Sequence, residues 1–101
     1  MTTYIELYEA ARLALLGVLA NQGLRPTARG GDAVICKVIY AQVTPAQRKI
    51  IEPFERMRAW RDAGITAAAT AEDVRDTRAI IALAEQLISE YRAAQDGGIG
   101  S

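Results

Sequence analysis

A chain of 101 residues is a single domain by length. Half of it is hydrophobic and 24% is charged, which excludes a disordered chain. Twelve basic and twelve acidic residues leave no net charge, which argues against a dedicated nucleic-acid binder.

Thr3-Tyr4-Ile5-Glu6 has the form of a capping box, so the first helix starts there. Tyr4, Tyr8, Ala11, Leu15 and Val18 recur at helical spacing, flanked by Ile5, Arg12, Leu16 and Leu19. The helix stops near Asn21-Gln22-Gly23, where glycine supplies a left-handed cap. A face this wide implies contact with two further helices, or with one helix and a second subunit. Leu13 to Ala20 is the longest apolar run and is far too short to span a bilayer. The N-terminus has no basic-plus-apolar signal pattern, so the expectation is a cytoplasmic protein without membrane association.

Leu24 to Gly31, with its Arg-Pro and Gly-Gly steps, reads as a loop. Asp32 is a good N-cap for a second helix, about Ala33 to Gln42, with Val34, Ile35, Val38, Ile39 and Ala41 on its buried side. Gly30-Gly31 before a helix start could cradle an anion, but Asp32 would repel it and no Lys-Ser/Thr follows. Cys36 is the sole cysteine, set in an apolar run, and reads as a buried thiol in a reducing compartment. No histidine exists to activate it, and neither a His/Cys metal site nor a cofactor pattern is present.

Thr44-Pro45-Ala46-Gln47 is a second capping box, with proline at the first helical position. Pro53 interrupts the segment, so the spacing predicts a kink or break near Ile51-Glu52 and a second half from Pro53 to about Asp62, ended by Gly64. Thr66 to Thr70 is a loop. Thr70-Ala71-Glu72-Asp73 opens the last helix, with Glu72, Asp73 and Asp76 forming a solvated, dipole-complementing turn. Val74, Ile80, Ile81, Leu83, Ala84, Leu87, Ile88 and Tyr91 form its apolar face as far as about Gln95. Residues 97–101 are then a flexible tail. Together the elements predict an all-α domain over residues 1–96. It is an antiparallel up-and-down bundle of four to five helices, the third kinked or broken near Pro53.

Charge is unevenly spread. Residues 45–66 hold Arg48, Lys49, Arg56, Arg58 and Arg61 against Glu52, Glu55 and Asp62, so a polyanion would meet this part. Residues 67–101 hold Arg75, Arg78 and Arg92 against six acids. Arg56, Arg58 and Trp60 are the candidate nucleic-acid contacts, Trp60 by stacking a base, and Arg61 with Asp62 the candidate catalytic pair. A plainer reading stands beside this one. Glu52–Arg56, Glu55–Arg58 and Arg58–Asp62 are spaced for exposed helix ion pairs, and Trp60 for core or interface packing.

The segment Phe54-Glu55-Arg56-Met57-Arg58-Ala59-Trp60-Arg61-Asp62, with the earlier Gly-Leu-Arg-Pro-Thr loop and the Gly30-Gly31-Asp32 start, resembles the HEPN family. The likeness covers most of the chain as architecture and only Arg61 to Thr66 as a motif. It implies a dimeric helical scaffold from a toxin–antitoxin or other defence system, with a cognate protein or an RNA as partner. Active members are metal-independent RNases whose motif is an arginine, a polar residue and, a few residues on, a histidine. Here Arg61 and Asp62 occupy the first two places, and Thr66 stands where the histidine falls. Cleavage through the 2′-hydroxyl requires proton removal, proton donation and charge stabilisation. Arg61 supplies only the last, Asp62 beside an arginine is a poor base, and Thr66 does not titrate. The resemblance therefore implies an inactive interaction module. The alternatives are an RNase that uses Arg61 and Asp62, or a helical adaptor outside the family.

Overall fold

The computed structural model describes residues 2–24, 31–65 and 67–100. Among these residues the fold is all-α, with four helices: α1 (Tyr4–Asn21), α2 (Gly31–Tyr40), α3 (Pro45–Asp62) and α4 (Ala71–Gly100). Three of the four helix starts are closed by reciprocal caps. In α1 the Glu6 amide donates to the Thr3 hydroxyl (3.3 Å) and the Thr3 amide to the Glu6 carboxylate (3.4 Å). Thr44 and Gln47 exchange the same bonds at 3.1 and 3.0 Å at the start of α3. Thr70 and Asp73 do so in α4, so Asp73 closes the helix start as well as supplying negative charge there. Each such pair satisfies two backbone donors that the helix leaves open.

α1 and α3 end alike. Gly23 (φ +78°) and Gly64 (φ +76°) take the left-handed conformation that glycine enters without a Cβ penalty. The amides of Leu24 and Ile65 then reach back to the carbonyls of Leu19 (2.8 Å) and Trp60 (3.0 Å). That six-to-one bond terminates both helices cleanly.

The remaining boundaries moved. α2 begins at Gly31, so Asp32 falls inside the helix and not at the position before its first residue; residues 25–30 lie outside the described set. α2 also ends at Tyr40, and residues 41–43 form a turn. α3 passes through Pro53 as one helix without a break, which gives the lower of the four to five helices expected. α4 continues to Gly100 instead of stopping near Gln95, although each glycine in a helix costs about 1 kcal/mol relative to alanine.

The core comprises Tyr4, Tyr8, Ala11, Leu15, Val18 and Leu19 from α1 and Ile35, Cys36 and Ile39 from α2. α3 adds Ile51, Phe54 and Met57, and α4 adds Ile80, Leu83, Ala84 and Leu87. All five α1 positions of the expected stripe are buried, and so is Cys36, which forms no disulfide. α1 packs against each of the other three helices, which explains the width of its apolar face.

Helix directions follow from the contacts. Thr3 bridges Ala68 just before α4 begins, while Asn21 accepts a bond from Arg92 (3.0 Å) near the other end. α1 and α4 therefore run in the same direction. Trp60 meets Tyr4 and Arg56 meets Asp73, so α3 runs against both. Gln22 and Gln42 exchange side-chain bonds of 2.6 and 2.8 Å, which puts the ends of α1 and α2 together. The sequential up-and-down order is thus not the one adopted. Backbone bonds of the α3–α4 loop cause this: Ala69 N–H to Thr2 O (3.0 Å) and Tyr4 N–H to Ala67 O (3.5 Å) start α4 beside the start of α1. Among the described residues no helix is long and apolar enough to cross a membrane.

Candidate functional site

The basic end of α3 lies against the first turns of α1 and α4. Successive residues of one helix point about 100° apart, so its polar side chains diverge. Arg61 turns inward. Its guanidinium lies 4.7 Å from the centroid of the buried Tyr8 ring, on which Phe54 also stacks at 4.9 Å with 8° between planes. Its Nη2 also donates to Asp62 Oδ1 at 3.0 Å, and its Nε to the same oxygen at 3.4 Å. Asp62 therefore pairs with its chain neighbour and not with Arg58, as helical spacing had suggested. Arg58 has a buried Nε with no hydrogen-bond partner.

Arg56 points the other way, toward α4. Its Nη2 is 3.4 Å from Asp73 Oδ1 and 3.3 Å from Asp76 Oδ2, and its guanidinium lies 5.3 Å from the Trp60 ring. Trp60 is half-buried and meets the Tyr4 ring edge-on at 5.6 Å, in the packing role that aromatic pairs favour. The expected solvated turn at the start of α4 is thus corrected. Asp73 is only 6% exposed, caps its own helix and pairs with Arg56; Asp76 is half-buried. A threonine-capped helix start facing a basic helix end was the available signal, but nothing in the sequence placed the two together. Thr66, at the position where a histidine would complete the motif, lies outside the described residues.

Tyr40 at the end of α2 donates to Glu55 Oε2 (2.9 Å). Arg48 covers its ring at 5.2 Å and donates to its carbonyl at 3.2 Å. Burial, and then the hydrogen bond to Glu55 and the charge of that residue, push the Tyr40 hydroxyl well above the ordinary phenol range. This cluster fastens α2 to α3.

Along the C-terminal half of α4 runs an open groove of about 440 Å³, lined by Glu85, Ile88, Ser89, Arg92, Ala93 and Asp96. Arg92 is held at its wall by the Nε bond to Asn21. No three His, Cys, Asp or Glu residues among those described cluster as a metal site would require.

The chain matches no protein-family model, no curated protein and no solved structure.

Proposed function

We propose that this chain is a HEPN-like helical interaction module that binds a partner without cutting RNA. Its setting is a cytoplasmic toxin–antitoxin or defence system, where it works as a homodimer or with a cognate protein. The engagement of Arg61 carries this reading. A guanidinium lying on the Tyr8 ring and bonded to Asp62 is already engaged by groups of its own fold, although both side chains stay partly exposed. A transition-state stabiliser must instead present its donors to the phosphate. With no histidine in the chain, Asp62 is the acid–base group in contact with Arg61, and it is paired to that same arginine. Within this reading α3 bends at Pro53, because the ring removes the amide that the Lys49 carbonyl would accept from.

The test is incubation of the purified protein with total tRNA in EDTA. The expected result is intact tRNA with both the natural chain and Arg61→Ala. Metal-independent cleavage that disappears in Arg61→Ala would replace this proposal with the RNase reading. Tight tRNA binding lost in Arg56→Ala and Arg58→Ala, without cleavage, would make RNA the partner.

A further inference from the structure

The groove on α4 has the shape of a seat for a helix. From Glu85 to Asp96 its lining residues recur every third and fourth position, which is one stripe along α4. Eleven residues rise about 16 Å and make three turns, so the trough is straight and follows the helix axis. Ile88 is half-buried at its centre. Gly17 of α1 stands beside it, since a Cβ there would lie 3.9 Å from Ile88 Cδ1. With no side chain at Gly17, the α1 wall of the trough is low. Leu13, one turn earlier on α1, is 62% exposed, the most exposed large hydrophobic among the described residues. α1 and α4 run in the same direction, so Leu13 falls toward the Glu85 end. A straight apolar strip of this length is the footprint of an amphipathic helix laid in a groove.

The rim selects the sign of that helix. Glu85 and Asp96 are exposed at the two ends of the trough, and among the described residues neither has a hydrogen bond or an ion pair. Arg92 lies between them, four residues before Asp96, at a spacing that favours an ion pair. It pairs with neither carboxylate, and its Nε donates to Asn21 Oδ1 at 3.0 Å. Two open carboxylates attract lysine or arginine at both ends and repel a phosphate backbone or an anionic lipid surface. An occupant helix rises at the same rate as α4. Its cations therefore belong eleven positions apart on its seated stripe, with apolar residues between them.

We infer that the α4 groove seats a basic amphipathic helix of a partner protein, with apolar side chains against Leu13 and Ile88 and a cation on each of Glu85 and Asp96. This rests on the reading of the chain as an interaction module and names the face used and the chemistry of the partner. The face is separate from the Arg61–Asp62 segment, which lies beside the start of α4.

The probe is a fluorescein-labelled, alanine-based helical peptide of about 18 residues, followed by fluorescence anisotropy. It carries lysines at its fourth and fifteenth positions and leucines at its eighth and eleventh, all on one stripe. A control of identical composition has the lysines at its sixth and seventeenth positions, on the opposite face. The first peptide is expected to bind at least about tenfold more tightly than the control. The double variant Glu85→Gln/Asp96→Asn should weaken binding about tenfold, because each exposed pair contributes a few-fold. Ser89→Arg puts bulk and positive charge into the trough from an exposed position and should abolish binding. Circular dichroism checks that each variant stays helical. No binding of the first peptide at about 1 mM protein overturns the inference, as does equal binding of both peptides or binding that Ser89→Arg leaves unchanged. Sedimentation of the protein alone adds a further check: a multimer that Ser89→Arg returns to one-chain mass means that a second copy fills the groove, and this too overturns it. None of these readouts involves RNA, so tRNA cleavage sinks the module reading by a separate result.

Discussion

Asp73 does more for this fold than its position at a helix start suggests, and Asp73→Ala measures how much. The carboxylate accepts the Thr70 amide at 3.0 Å and pairs with Arg56 at 3.4 Å while almost fully buried. Losing its half of the capping box, the bond from the Thr70 amide, costs about 1 kcal/mol. Losing a negative charge from the first turn adds about 0.5 kcal/mol through the helix dipole. The Arg56 pair adds about 0.5 kcal/mol and no more, because the Arg56 side chain is 43% exposed and screened by water. The sum is about 2 kcal/mol, a fall in Tm of roughly 10 °C for a domain of this size. Asp76→Ala removes only an exposed pair and should cost about 0.5 kcal/mol. Urea titrations followed by far-UV circular dichroism separate the two, and a double-mutant cycle with Arg56→Ala isolates the pair. In 1 M NaCl the pair should shrink while the cap persists. Equal costs for Asp73→Ala and Asp76→Ala would refute the reasoning, since the cap would then contribute nothing.

Three further substitutions probe other contacts. The folded state holds the Tyr40 proton above the pH at which an unfolded tyrosine, near 10, releases it. The associated stability is therefore complete below about pH 10 and lost as pH rises beyond it, and Tyr40→Phe should remove this alkaline decline while costing about 1 kcal/mol at pH 7. The Tyr4 hydroxyl is buried without a partner, so Tyr4→Phe should raise stability by about 1 kcal/mol in the same titrations; a loss would mean that the hydroxyl is satisfied in solution. Pro53→Ala restores an amide inside α3 and should stabilise by roughly 1–3 kcal/mol, whereas an unchanged Tm would mean that the helix already accommodates the ring without loss.

Local chemistry was legible where it is self-contained. The Thr3–Glu6 and Thr44–Gln47 boxes need only four consecutive residues, and the Gly23 and Gly64 stops need only a residue free of a Cβ. The α1 stripe follows from periodicity alone. Boundaries failed where a local signal competed with continued helix. Asp32 looks like a cap but lies inside α2, and Pro53 looks like a break but lies inside α3. In the candidate site, the sequence put Arg56, Arg58, Trp60, Arg61 and Asp62 on one helix end but not on its separate faces.

What the sequence determined by itself is therefore the all-α class, where α1 and α3 begin and end, and the absence of any histidine for acid–base work. Tertiary structure alone decided that α4 runs alongside α1 rather than against it, because loop backbone bonds near Thr2–Tyr4 have no signature in residue type. It decided the partners of the charges as well. Arg56 and Asp73 are seventeen positions apart, and Arg61 meets Tyr8 across the core. Spacing along a helix ranks near neighbours only; which distant charge or ring a guanidinium reaches is set by which helices pack together.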